Sequence, residues 1–151
     1  MRVLTQYLKD LSFESPGAPQ SIRQDLPAPE VEVSVDVNAR RLGDDQYEVE
    51  LACSATATRD GETAFVVETN YAGLFLIQNV PAEQLEPLLL VEAPRLLFPF
   101  ARQVVATATR EGGFMPLMLE PLDFGAMYRM QRQQAGGING GNGDAEPVGN
   151  A

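Results

Sequence analysis

Between residues 30 and 77 an apolar side chain recurs at almost every second position, and that period folds only as β-strand. In Glu30 to Val37 (EVEVSVDV) the alternation is strict, with Val31, Val33, Val35 and Val37 on one face and Glu30, Glu32, Ser34 and Asp36 on the other. Tyr47 to Thr58 repeats it: Tyr47, Val49, Leu51, Cys53, Ala55 and Ala57 face one way, and Glu48, Glu50, Ser54, Thr56 and Thr58 the other. Glu62 to Ile77 is β-branched, aromatic and free of proline, with Thr63, Phe65, Val67, Thr69 and Tyr71 opposite Ala64, Val66, Glu68 and Asn70. Gly73 interrupts this last run and predicts a bulge or a close backbone approach. Turn signals at Gly43-Asp44-Asp45 and Asp60-Gly61 separate the three segments, so they are expected to pair antiparallel.

A further strand is expected over Val3 to Glu14, with Tyr7, Leu11 and Phe13 on the apolar side and Leu8, Asp10, Ser12 and Glu14 opposite. Lys9 falls on the apolar side as the one misfit. Residues 15–29 hold Pro16, Pro19, Pro27 and Pro29 around Ile22 and Leu26, too much proline for a ladder, and predict an extended crossover loop.

After residue 80 the period changes to three and four. Pro81 opens a helix to about Val91, and Glu92-Ala93-Pro94 is expected to break or kink it. A second helix covers Leu96 to Glu111, with Gly112-Gly113 as its stop. An apolar connector over 114–121 leads to Asp123, an N-cap for a final helix from Phe124 to Gln134. The Gly/Asn-rich stretch from Gly136 onward predicts a disordered tail. Strands first and helices last make an α+β sandwich: a four-stranded antiparallel sheet with helices packed on one face, in one domain over residues 1–135.

The chain contains no histidine, which excludes Ser-His-Asp and Cys-His catalysis and histidine-ligated zinc. No phosphate-binding glycine motif is present, so neither an enzyme nor a cofactor is expected. A formal charge of -10 disfavours nucleic acid as a partner. The lone Cys53, the lack of a leader-like start and the lack of a long apolar run predict a soluble protein of a reducing compartment.

Alternation gathers Asp10, Glu14, Glu30, Glu32, Asp36, Glu48, Glu50 and Glu68 on the polar face, with Val66 among them. Such a face is either ordinary solvated surface or a docking platform for a basic partner.

Several blocks together resemble the SecB protein-export chaperones. They are Tyr7-Leu-Lys-Asp-Leu-Ser-Phe-Glu-Ser-Pro, Asp44-Asp45-Gln-Tyr-Glu-Val, Glu62-Thr-Ala-Phe with Glu68, Leu97-Phe-Pro-Phe-Ala-Arg, Gly113-Phe114-Met-Pro and Leu119-Glu-Pro-Leu-Asp-Phe. The likeness runs from about Val3 to Ala135. It implies a SecB-like fold and a cytoplasmic, ATP-independent chaperone that binds unfolded preproteins and delivers them to the SecA motor. A homotetramer, built as a dimer of dimers, is implied by the resemblance alone.

Carried over by position, Asp10, Glu14, Val66 and Glu68 match the family's SecA-docking residues, though Val66 stands where many members have leucine. Val67, Thr69 and Tyr71 match positions linked to tetramer assembly. Val31, Val33 and Val35 match positions implicated in holding clients. Ile22, Leu26, Phe124, Met127 and Tyr128 are candidate groove lining on their chemistry, or else simply core. A small-ligand-binding module and an oligomeric scaffold are the rival readings.

Overall fold

The structure, a computed structural model, describes residues 1–138, with side chains to residue 135. Four long strands make one antiparallel sheet: β1 (Arg2–Glu14), β2 (Glu30–Gly43), β3 (Gln46–Arg59) and β4 (Glu62–Leu76), in the order β1-β4-β3-β2. β2 runs six residues past the expected Val37. The β3–β4 hairpin turns at Asp60 and Gly61, whose φ of 52° and 78° are what a primed two-residue turn requires. Within the crossover loop a single 3-10 turn, Gln20–Ile22, replaces part of the extended course expected there.

The helical layer lies on one face. α1 (Ala82–Pro87) passes without interruption through a π-helical turn (Leu88–Glu92) into α2 (Ala93–Glu111), and α3 (Phe124–Ile138) follows the connector. The expected break at Glu92-Ala93-Pro94 is therefore absent. Pro94 has no N–H, and its ring strikes the carbonyl four residues back in a regular helix. Widening the preceding turn, so that Ala93 N–H bonds to Leu88 O five residues back, keeps the chain helical across it. Asp123 caps α3 as expected, its Oδ1 accepting from Ala126 N–H at 2.9 Å. The α3 backbone continues through 136–138, and the rest of the expected tail, 139–151, lies outside the described residues.

Between the layers sits one apolar core. Val49, Leu51, Val67 and Phe75 from β3 and β4 meet Leu89, Leu97, Ala101 and Val105 from the helices, all almost fully buried. Gly73 is the close approach that its place in a strand suggested, with no bulge. A Cβ there would lie 2.8 Å from the Phe75 ring and 3.0 Å from Leu97 Cδ2.

Two strands depart from their pattern: β4 slips against β3 at its start, where Ala64 is buried and Thr63 exposed, contrary to expectation, and β1 departs further. The β1–β4 register slips between Leu8 and Asp10, placing Lys9 in a bulge, and slips again between Val3 and Thr5. Below the Lys9 bulge the phase is as expected, with Leu11 and Phe13 opposite Thr69 and Val67. Above it the phase is reversed: Leu8 pairs with Tyr71, and Tyr7 with Ala72. Tyr7 therefore stands on the polar face, contrary to expectation. The Tyr7 hydroxyl donates to Glu48 Oε2 at 2.5 Å, Lys9 Nζ lies 3.2 Å from Glu48 Oε1, and Arg40 Nε donates to that oxygen at 2.9 Å. Lys9 also pairs with Glu50. Glu48 is only 5% exposed. Burial alone would raise its pKa, but hydrogen bonds from Tyr7, Arg40 and Lys9 outweigh that and lower it from the usual 4.5 to about 2.

Two predictions follow from this packing. Removing the Glu48 carboxylate leaves three donors without a buried acceptor. Because Lys9 and Arg40 can partly rehydrate, Glu48→Ala should cost about 1–3 kcal/mol in urea unfolding at pH 7. A folded-state pKa below the unfolded one means the carboxylate stabilises fully above about 4.5, and progressively less as pH falls toward about 2. The stability gap between wild type and Glu48→Ala should therefore close over that window, and a gap independent of pH would contradict the assignment. Gly73→Ala should lower stability by about 1–3 kcal/mol, because the new methyl pushes Phe75 and Leu97 out of a filled core. An unchanged thermal midpoint would show that the helix is not seated this closely.

Candidate functional site

The sheet's polar face is bare, and its charges divide along the strands. At one end Glu48 and Glu50 are neutralised by Lys9 and Arg40. The sequence reading placed almost no base on this face. Lys9, the one misfit on the apolar side of the expected alternation, is turned outward by the bulge. Arg40 lies past Val37, the expected end of β2, within the six further residues of that strand.

At the other end the acids stand free. Asp10 pairs with Asn70, Ser12 with Glu68 and Glu14 with Val66 across β1 and β4. Directly paired residues share a face, so Asp10, Glu14, Val66 and Glu68 form one patch, about 13 Å long from Asp10 to Glu14. The three carboxylates are exposed and Val66 is half-buried between strands. Among the described residues none of the three makes an ion pair. Glu32 continues the acidic end onto β2, through Thr56 beside Val66.

The helix-covered face is left incomplete. α2 lies over β4 and β3, and only the π-helical turn comes near β2. Along β2 the consequence is graded: Val37 is 2% exposed and Val35 half-buried, but Val33 is 48% and Val31 37% exposed. Beside them runs the connector. A cleft of about 340 Å³ lies between Val31, Val33 and Val35 and the segment Leu117–Leu122. A second groove of about 640 Å³ lies between the crossover loop, with Ile22 and Leu26, and Phe65, Phe114 and Met115. Val31 and Leu117 line both, so the two run together.

The groove walls are tied to the fold at a few points. Phe65 and Phe114 pack at 4.8 Å between centroids, with Phe13 5.9 Å from Phe65. Buried Thr109 donates to the Val105 and Ala106 carbonyls at 3.0 Å each and accepts Leu117 N–H at 2.9 Å, which pins the connector to α2. The connector is apolar and partly exposed, with Met115 87% and Met118 51% exposed and Leu119 buried. Its run Phe-Met-Pro-Leu-Met-Leu lacks any period, and that lack was the available signal for a lining segment. Nothing in the sequence pointed to Thr109.

Three candidate lining residues lie elsewhere. Phe124 is 2% exposed and meets Phe98 edge-on at 5.9 Å, so it belongs to the core. Met127 and Tyr128 are half-buried and line neither groove. The Tyr128 hydroxyl donates to Glu86 Oε1 at 3.0 Å, tying α3 to α1. A helical stripe says that one face is covered, not by which neighbour. Of the assembly positions, Val67 and Thr69 are buried within the protomer. Tyr71 stacks on Phe100 at 6.0 Å, and Phe100 is 48% exposed. Cys53 is buried, which pushes its thiol pKa up to about 12 and leaves it inert at neutral pH.

Among the described residues no helix is long and apolar enough to cross a membrane, and no cluster of His, Cys, Asp and Glu could hold a metal.

Comparison with known proteins gives one answer. The family model described as preprotein translocase subunit SecB matches residues 1–135. The protein-export protein SecB of Maricaulis maris is 50% identical over 149 residues, covering 95% of this chain and 87% of that protein. The SecB of Mesorhizobium japonicum is 53% identical over 131 residues, covering 87% and 78%. Among solved structures, the Mycobacterium tuberculosis Rv1957 SecB-like chaperone, in complex with a ChAD peptide from the Rv1956 HigA1 antitoxin, shares the fold. Its TM-score is 0.64 at 16% identity, over 80% of this chain and 90% of that one. With its sheet, its one-sided helical layer and relatives of half-identical sequence over nearly its whole length, this chain belongs to the SecB family.

Proposed function

We propose that the protein is a chaperone of protein export that holds unfolded preproteins without ATP and delivers them to SecA. It works in the cytoplasm, without cofactor or catalysis. The observation that carries this reading is the uncovered apolar end of β2 and the confluent grooves beside it. A monomer core does not leave Val31 and Val33 half in water beside a partly exposed Leu/Met connector unless something else covers them. An extended, largely apolar client segment fits that description. Removing roughly 500 Å² of apolar surface from water contributes about 12 kcal/mol before the cost of ordering the client is subtracted. The lining is irregular and rich in Met and Leu, so it discriminates weakly between sequences, as a general holdase must.

Delivery uses the opposite face. The free acidic end, with Asp10, Glu14 and Glu68 around Val66, has the form of a polar-rimmed apolar contact, and is proposed as the SecA-docking patch. Client and motor then sit on different sides of the sheet and need not compete for space. Assembly as a dimer of dimers accords with the open edge of β1 and with the exposed apolar side chains Leu8, Leu11, Leu96 and Phe100. Val67 and Thr69 act on assembly only indirectly, by shaping the layer beneath Tyr71 and Phe100.

The wild-type protein should suppress aggregation of an unrelated unfolded protein in the absence of nucleotide. Val33→Asp should weaken binding of that client about tenfold, by placing a carboxylate where apolar surface is buried, with SecA binding unchanged. Suppression that requires ATP, or an unaffected Val33→Asp, would count against the groove. Conversely, Asp10→Ala with Glu68→Ala should weaken SecA binding about tenfold and leave client binding as it was. Raising salt from 50 to 500 mM should loosen the motor contact more than the client contact, since the exposed patch is screened and the groove is not. Equal loss of both activities would sink the assignment of two separate surfaces.

A further inference from the structure

The larger groove exists only while the crossover loop stands against the sheet, and the loop has little of its own to hold it there. Its one regular element is the short turn Gln20–Ile22, and its one ion pair, Arg23–Asp25, is exposed and internal to the loop. Contact with the helical layer is made where Ile22 packs on Gly113, a residue with φ of 92°. The polar tie comes from Arg59, the last residue of β3.

Arg59 Nε donates to the Pro27 carbonyl at 2.6 Å, and its Nη1 donates to the Ser21 carbonyl at 3.0 Å. These carbonyls bracket the segment that carries Ile22 and Leu26, so one planar guanidinium holds both ends of the groove wall. Arg59 makes no ion pair among the described residues. Its positive charge is directed at two main-chain oxygens of a loop and at nothing else that the structure records.

We propose that Arg59 is a positioning residue that fixes the width of the client groove, clamping the crossover loop so that Ile22 and Leu26 face Phe65 and Phe114. The inference rests on the holdase reading given above. With the clamp in place the wall is ordered before a client arrives. Without it, each client must order the loop as it binds, and that entropic cost appears as faster release. Lysine keeps the charge but lacks the fork that spans two carbonyls, so it restores only part of the effect.

The test uses the full chain as wild type, Arg59→Ala and Arg59→Lys. The probe is a fluorescent, unstructured twenty-residue peptide rich in Leu, Phe and Val. Binding and dissociation rates, amide exchange over residues 21–28, thermal midpoint and assembly mass are measured for each protein. Arg59→Ala should release the peptide about tenfold faster and exchange its loop amides faster, at unchanged midpoint and mass, with Arg59→Lys between it and wild type. Equal release rates in all three proteins, or unchanged loop exchange in Arg59→Ala, would overturn the clamp while leaving the holdase reading intact. A wild-type protein that does not bind the peptide would remove the holdase reading, and this inference with it.

Discussion

The helical layer is too narrow for the sheet it covers. Strands of 13 to 15 residues extend roughly 45 Å, and four of them side by side span about 14 Å between the outermost backbones. The continuous helix that runs from α1 through the π-helical turn to the end of α2 is about 45 Å long but only about 10 Å across. Laid over β4 and β3 it seals the middle of the sheet, and there Val49, Leu51, Val67 and Phe75 are closed off from water. The β2 margin of the same face keeps its apolar alternation without a lid. Exposure of Val31 and Val33 is the geometric remainder of covering a four-stranded sheet with a helix seated over β4 and β3, which leaves the β2 margin open. The apolar grooves exist for that reason.

On the other side of the sheet a charged network adds cross-links that do not depend on the lid. Glu48 on β3 draws Tyr7 and Lys9 from β1 and Arg40 from β2, reaching past β4 to join three strands through one carboxylate. A buried charge of this kind is tolerable only because three donors converge on it. The bulge at Lys9 is what permits the convergence, since without it Tyr7 would point into the helical layer. The network also uses up the cations of the polar face at one end, so the acids at the other end remain uncompensated. A uniformly acidic face would carry no orientation; a face neutral at one end and negative at the other does.

Much of this was legible in the alternation of residues. Strand number, antiparallel pairing, the face assigned to each residue from Asp10 to Glu14, and the N-cap at Asp123 all follow from period and turn chemistry. The bulge showed only as the misfit at Lys9; its partner Glu48 lies some forty residues away, beyond the reach of local pattern. The π-helical turn was missed because proline rules describe a regular helix, and the chain instead widened one turn ahead of Pro94. The grooves were read halfway. Val31, Val33 and Val35, expected at a client surface by resemblance, and Ile22 and Leu26, offered as lining on their chemistry, do line the grooves. The connector that forms the opposite wall has no period to betray it. Phe124 stayed open between groove and core because its apolar stripe could face either, and in the structure it packs on Phe98.

A groove with one rigid wall and one wall of loop has consequences for how it would hold the client proposed for it. The β2 side cannot adapt, since its backbone is fixed by the β3 ladder. The facing side is a loop clamped at two carbonyls and a connector pinned at one amide, so its side chains can shift between those fixed points while its backbone stays near. Affinity in such a site comes from area and not from fit, because each contact is loose and none is required. Reversible holding requires this combination. A site that fitted one sequence closely would release it slowly and refuse the next, whereas a site with no fixed wall would charge every client the entropy of ordering both sides. Fixing one wall and tethering the other keeps binding broad while leaving release within reach of a competing partner.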